Sequence, residues 1–162
     1  MSAAPAATDL AMLLEERAIE RVASEIDRFL DTKDWEGFRS CFADSIQVQI
    51  ELIGGAGSVD MKAESFIREL QALNGPDRVS FHTRGNTLID VSGDLATLRG
   101  HITAWNRRLG TEPGIEETLY EFGAEEALYE MWGSIEYGLR REAGHWRVNR
   151  VAVKKWRDSG RL

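Results

Sequence analysis

The fold is decided by residues 79–106, whose sequence is VSFHTRGNTLIDVSGDLATLRGHITAWN. Its first arm carries apolar or β-branched residues at alternate positions, namely Val79, Phe81, Thr83, Thr87, Ile89 and Val91. Its second arm alternates in the same way, through Ala96, Leu98, Gly100, Ile102 and Ala104. A period of two is typical of a strand with one face buried, and Gly93-Asp94 suits a tight turn. The segment therefore predicts a long β-hairpin, which twists and can curl around a cavity.

Helices are predicted before this hairpin, at residues 9–31, 34–43 and 60–74. The first has an apolar face at helical spacing, formed by Leu10, Leu13, Leu14, Val22, Ile26, Phe29 and Leu30. Asp34 and Asp60 are suitable N-caps for the second and third helices. Alternation predicts strands at 45–52, 78–91, 95–107, 127–141 and 145–157.

This order of elements predicts an α+β protein in which three N-terminal helices cover one face of a curved, cone-shaped antiparallel sheet. We expect a single domain over residues 9–158, preceded by a loose tail at residues 1–8. The pattern lapses between Arg107 and Glu126, where Gly110, Pro113 and Gly114 interrupt it. We interpret this stretch as a surface loop, of a length at which loops often act as lids.

Composition narrows the possible partners. The chain has 162 residues, 43% of them hydrophobic, and 27 acidic against 20 basic residues give a net charge of −7. Such an acidic chain is not expected to bind nucleic acid. Without a signal peptide or a long apolar run, we expect a cytoplasmic protein that does not enter membranes. Cys41 is the single cysteine, so no internal disulfide forms, and we expect a buried thiol.

Five short stretches resemble the SnoaL-like branch of the nuclear transport factor 2-like superfamily. They are DTKDW at 31–35, FAD at 42–44, FHTRGN at 81–86, GDLAT at 93–97 and REAGHWR at 141–147. The resemblance implies a cone-shaped (cystatin-like) fold with an internal cavity. The superfamily includes dehydratases, isomerases, dehydrochlorinases, cyclases and non-catalytic binding modules, so the fold does not select one activity.

The resemblance also implies catalytic residues. Scytalone dehydratase, hexachlorocyclohexane dehydrochlorinase and the bile-acid dehydratases use an Asp at the end of the first helix and a His on the strand after the third. These positions match Asp31 and His82, which are expected to meet inside the cone, with His82 as the base and Asp31 orienting it. Ile26 departs from the family, because several relatives have tyrosine or lysine there. Arg150 is expected either at the cavity mouth, assisting a leaving group, or in an ion pair with an acidic neighbour on the sheet.

Several side chains are candidates for contact with a substrate, namely Trp105, Trp132, Phe122, Tyr120, Met131 and His101. The aromatic residues and Met131 could line an apolar pocket, and they are equally suited to a core or a dimer face. His101 suits either a second base or a cross-strand neighbour of the first arm. No His-x-His, His-Glu-x-x-His or paired-cysteine spacing occurs, so neither a metal nor another cofactor is expected.

Two main functional hypotheses follow. The first is a cofactor-free lyase or isomerase that removes a proton from a small hydrophobic, cyclic substrate. The second is a non-catalytic binding or assembly module of the same fold, and a weaker third is the small subunit of an aromatic-ring dioxygenase. We also expect a homodimer, because the strands at 127–141 and 145–157 carry apolar residues on both faces while the helices cover only one.

Overall fold

The computed structural model describes residues 7–50, 57–108 and 128–159. Residues 1–6 of the predicted tail and most of the predicted loop lie outside this part of the chain. The described residues form three helices and six strands. They are α1 (Ala7–Thr32), α2 (Trp35–Ser40), β1 (Phe42–Ile50), β2 (Val59–Lys62), α3 (Ala63–Leu73), β3 (Arg78–Ser92), β4 (Leu95–Arg108), β5 (Leu128–Glu142) and β6 (His145–Ser159).

The six strands form one curved, open sheet in the order β2-β1-β6-β5-β4-β3. Together with the helices this is the predicted α+β architecture, which is confirmed. The sheet is mixed, however, because β1 and β6 run parallel while the other neighbours are antiparallel. Strand direction within a sheet is a long-range property, and the local alternation in β1 carries no information about it.

The start of the third helix was predicted wrongly. Asp34 caps α2 as expected, since its Oδ1 accepts a hydrogen bond of 2.9 Å from the backbone N–H of Gly37. Asp60, by contrast, lies in β2, and Lys62 is the N-terminal cap of α3. The edge strand β2 has only four residues, opposite residues 45–48 of β1. A strand this short has too few positions for alternation to reveal it.

A β-bulge in the organising hairpin decides which residues of β3 point inward. The register with β4 shifts between Gly85 and Leu88, and Asn86 adopts a positive φ of 52°. The extra residue exchanges the two faces of the strand. Phe81 is therefore exposed while Ile89 packs against the core, although the sequence pattern had placed both on one face. Before the bulge, the inner face carries Ser80, His82 and Arg84.

The main core lies between the helices and the inner face of the sheet. Its centre includes Ile19 and Ala23 of α1 with Leu98 and Val148 of the sheet, all with 0% exposure. Cys41 is also buried, as predicted. The first turns of α1 differ from the expected apolar face, because Leu10, Leu13 and Leu14 are each more than half exposed. Within the described part of the chain, none of the helices combines the length and apolar character needed to cross a membrane.

Candidate active site

Asp31 and His82 are in direct contact. Asp31 lies in the last turn of α1, and one of its carboxylate oxygens, Oδ1, is 2.6 Å from His82 Nδ1. The other, Oδ2, accepts a hydrogen bond of 3.0 Å from the backbone N–H of His82. A carboxylate can only accept hydrogen bonds, so Nδ1 of the neutral ring carries the hydrogen. Nε2 is then the basic nitrogen, and the two bonds together hold the ring in one orientation.

His82 lines an internal cavity of about 160 Å³ between the helices and the inner face of the sheet. The apolar part of its wall comes from all three helices and from the sheet, and includes Ile26, Leu30, Phe38, Phe66, Met131 and Val153. The polar part comprises Asp27, Asn74, His82, Asn106, Tyr129 and Tyr137. Asp31 is behind His82 rather than on this wall, which corrects the expectation that both side chains point into the cone.

Asp31 instead borders an open groove between α1 and β3, which His82 also reaches. The side chains of Asp31 and His82 are 18% and 12% exposed. The histidine ring therefore separates an apolar cavity from a groove open to solvent. The carboxylate of Asp31 borders the groove, whereas His82 borders both the groove and the cavity.

A buried ion pair lies beside the histidine. Arg84, on the same face of β3 as His82, pairs with Asp27, one turn before Asp31 on α1, and also donates to the carbonyl of Ala23 at 2.6 Å. Its guanidinium lies 5.7 Å from the centre of the Tyr137 ring. Burial raises the pKa of Asp27, against the opposing effect of Arg84. Sequence analysis missed this pair, although the i, i+4 spacing of Asp27 and Asp31 on one helix face was a usable signal.

Asn106 is a second polar residue that sequence analysis missed. It follows Ile102 and Ala104 on the inner face of β4 and lines the cavity. Its side-chain Oδ1 is buried and has no hydrogen-bond partner among the described residues. The alternation of small apolar residues along β4 places Asn106 on the cavity side, so the same pattern that predicted the strand could have identified it.

Of the predicted pocket residues, Met131 lines the cavity. Trp105 follows Ala104 and Trp132 follows Met131, and both of these preceding residues line the cavity. Successive side chains of a strand point to opposite faces, so both tryptophans lie on the outer face of the sheet. There the Trp105 ring lies 5.5 Å from that of Phe81. Tyr120 and Phe122 lie outside the described residues.

His101 and Arg150 also lie on the outer face of the sheet. His101 is exposed, with Nδ1 2.9 Å from Asn86 Nδ2, and its ring is 4.9 Å from that of Trp156. Arg150 forms an ion pair with Glu136, and its Nε donates to Gln47 at 3.2 Å. Arg150 is therefore not at the cavity mouth; the alternative of pairing with an acidic strand neighbour is what the structure shows.

The chemistry of this site is that of a carboxylate-oriented histidine facing an apolar space. Within residues 7–50, 57–108 and 128–159, no three His, Cys, Asp or Glu side chains are grouped as metal ligands would be. The features that the site offers a ligand are a basic nitrogen, a buried carboxyl paired with arginine, and the amide of Asn106.

Solved structures with the same fold include proteins named for elimination chemistry. Kfla4162 from Kribbella flavida superposes with a TM-score of 0.76 at 16% identity, over 91% of this chain and 95% of that one. A presumed scytalone dehydratase from Novosphingobium aromaticivorans gives 0.73 at 19% identity, over 93% and 89%. The hexachlorocyclohexane dehydrochlorinase LinA type 2 gives 0.71 at 15% identity, over 95% and 93%.

At these identities the likeness shows the fold alone. No curated protein sequence matches the chain. The SnoaL-like domain family matches residues 11–152, nearly the whole chain, and the protein therefore belongs to the SnoaL-like family.

Proposed function

We propose that this protein is a lyase or isomerase that removes a proton from a small hydrophobic, cyclic substrate. One observation carries the proposal: a histidine whose Nδ1 is 2.6 Å from a carboxylate oxygen lies on the wall of an apolar cavity. The dehydratase and dehydrochlorinase names of proteins with this fold support the same class of reaction.

In the proposed reaction His82 Nε2 takes a proton from a carbon of the substrate. The electron pair of the broken C–H bond forms a carbon–carbon double bond, and the leaving group on the adjacent carbon departs with its own bonding pair. A hydroxyl leaves as water after receiving a proton from the imidazolium, whereas a halide leaves as the anion. In an isomerase the imidazolium returns the proton to another carbon. Asp31 accepts hydrogen bonds from Nδ1–H and from the backbone N–H of His82, which keeps Nε2 directed at the substrate.

The size of the cavity limits the substrate. An apolar cavity of about 150 Å³ in a protein interior accommodates benzene. The cavity beside His82 has about 160 Å³, so it fits a single six-membered ring with small substituents. Its mainly apolar wall favours a hydrophobic ring with few polar groups.

Dehydration of 3-hydroxycyclohexanone tests the proposal, because the product cyclohexenone is followed by its ultraviolet absorbance. We expect the protein to accelerate this reaction and His82→Ala to lower the rate by about 10²–10⁴-fold, the usual contribution of a general base. Asp31→Asn should lower it less, because the amide keeps a hydrogen-bond partner but not the charge. The matched control is His101→Ala, which removes a histidine from the outer face and should leave the rate unchanged.

The alternative is a binding module without chemistry. Ile26 favours it, because several relatives have tyrosine or lysine there, whereas Ile26 lines the cavity with an apolar side chain. Exchange of the α-hydrogens of cyclohexanone in D₂O, followed by NMR, distinguishes the two functions because it needs no leaving group. If the wild type binds cyclohexanone without exchanging its hydrogens, and His82→Ala binds it equally well, the result contradicts the enzyme and supports the binding module.

A further inference from the structure

The side-chain oxygen of Asn106 is a polar group of the cavity wall that the proposed chemistry does not use. Its Oδ1 is shielded from solvent and has no hydrogen-bond partner within the described residues. Leaving such an atom unsatisfied costs a protein stability, so buried unpaired acceptors are rare and call for a reason. A ligand that donates a hydrogen bond is one such reason, because Asn106 lines the cavity.

The neighbours of Asn106 have other partners. Ser80 stands opposite it on β3, and its hydroxyl accepts a hydrogen bond of 2.7 Å from Lys33 Nζ. Tyr129 stands opposite it on β5, with its hydroxyl 3.5 Å from a carboxylate oxygen of Asp158. Asn74, which also lines the cavity, donates a side-chain N–H to the carbonyl of Leu70 at 3.0 Å. Among the buried side-chain oxygens of the described residues, that of Asn106 is the acceptor without a hydrogen-bond partner.

Register fixes the relation between Asn106 and the base. His82 pairs directly with Ala104, two residues before Asn106 on the same face of β4. Diagonal neighbours of this kind lie about 7–8 Å apart, with their Cβ atoms somewhat closer. One ring placed between them can present a C–H bond to His82 Nε2 while a substituent at its far side meets Asn106.

We propose that Asn106 determines substrate specificity by accepting a hydrogen bond from a hydroxyl group on the ring, on the side away from the carbon that His82 deprotonates. The substrate class is thereby narrowed to hydroxylated six-membered rings. This inference rests on the proposed function for the role of His82, but the hydroxyl subsite itself is a binding property and is tested without turnover.

Phenol and toluene are the probes, because they differ only in a hydroxyl or a methyl group on the same ring. Their dissociation constants are measured by NMR titration for the wild type, Asn106→Leu and the control Thr103→Val. Thr103 is on the outer face of the same strand, so Thr103→Val removes a polar group at nearly constant side-chain size without touching the cavity. The measured quantity is the ratio of the toluene to the phenol dissociation constant, which cancels effects common to both rings.

We expect Asn106→Leu to lower this ratio by about tenfold, the value of a hydrogen bond to an otherwise unsatisfied buried group, and Thr103→Val to leave it unchanged. A change below about twofold in Asn106→Leu would overturn the proposal, as would failure of the wild type to bind either probe at millimolar concentration. If Asn106→Leu does not fold, Asn106→Ala gives the same comparison.

His82→Ala separates this proposal from the proposed function. That variant should retain the wild-type ratio, because the hydroxyl subsite does not need the base. A wild type that binds phenol more tightly than toluene but shows no turnover supports the subsite and contradicts the enzyme. Turnover with a ratio that Asn106→Leu does not change supports the enzyme and contradicts the subsite.

Discussion

Replacing Arg84 with methionine should destabilise the protein in a way that depends on pH. The Arg84 side chain is only 6% exposed and that of its partner Asp27 only 15%. Methionine keeps much of the apolar length of arginine but leaves the carboxylate of Asp27 buried without its counter-charge. Breaking a buried pair from one side costs about 3–5 kcal/mol, and we expect the lower end because Asp27 is not fully enclosed.

The sign of the pH dependence follows from Asp27. Burial already raises its pKa in the folded protein, and Arg84 is the group that opposes this effect. In Arg84→Met the folded-state pKa of Asp27 therefore rises further above that of the unfolded chain. A raised carboxyl pKa costs no stability below the unfolded value of about 3.9, and the cost grows as the pH rises towards the folded value. We expect a loss of about 1 kcal/mol at pH 5 and about 3 kcal/mol at pH 8.

Urea denaturation at the two pH values measures this difference. Arg99→Met is the matched control, because Arg99 and Asp90 form an ion pair with side chains 51% and 70% exposed, which should be worth at most about 1 kcal/mol. Adding Asp27→Asn to Arg84→Met should remove most of the pH dependence. An equal loss at pH 5 and pH 8, or a loss no larger than that of Arg99→Met, would refute the reasoning.

Two further predictions concern the sheet. A Cβ at position 133 would clash with the backbone carbonyl oxygen of Lys154, so Gly133→Ala should lower the unfolding free energy, measured in urea, by about 1–3 kcal/mol. The control Gly85→Ala, whose Cβ meets no atom within 4 Å, should lower it less. Equal losses in the two variants would contradict the clash at position 133. We also propose a homodimer through the outer face, where Phe81 and Trp156 are 48% and 55% exposed, so Trp156→Glu should lower the sedimentation coefficient. A wild type that sediments as a monomer at micromolar concentration would exclude that dimer.

Much of the fold was predictable from the sequence because local patterns carry it. Alternation identified the hairpin arms of β3 and β4, and the helical spacing of apolar residues identified α1. The short edge strand β2 was missed because four residues contain too little pattern. The parallel pairing of β1 with β6 joins segments distant in the chain, and no local signal records the direction of such a pair.

The candidate site was predictable only in part. The meeting of Asp31 and His82 across 51 residues was expected from family resemblance, not from spacing. For Trp105, Trp132, His101 and Arg150 the sequence left a role at the cavity and a structural role both open, and the structure places all four on the outer face.

What the sequence by itself determined is every described element except β2, their order and the alternating character of the longer strands, because these depend on backbone periodicity. Only the tertiary structure decided which side of each strand faces the cavity, and which residues distant in the sequence come together around it. The bulge at Asn86 exchanges the faces of β3, so the inward direction of His82 and Arg84 depends on a single inserted residue. Likewise, Asp27 pairs with Arg84, and the oxygen of Asn106 is left unpaired, only because α1 and the sheet enclose a common space. Burial in that space makes an unpaired polar group costly in free energy.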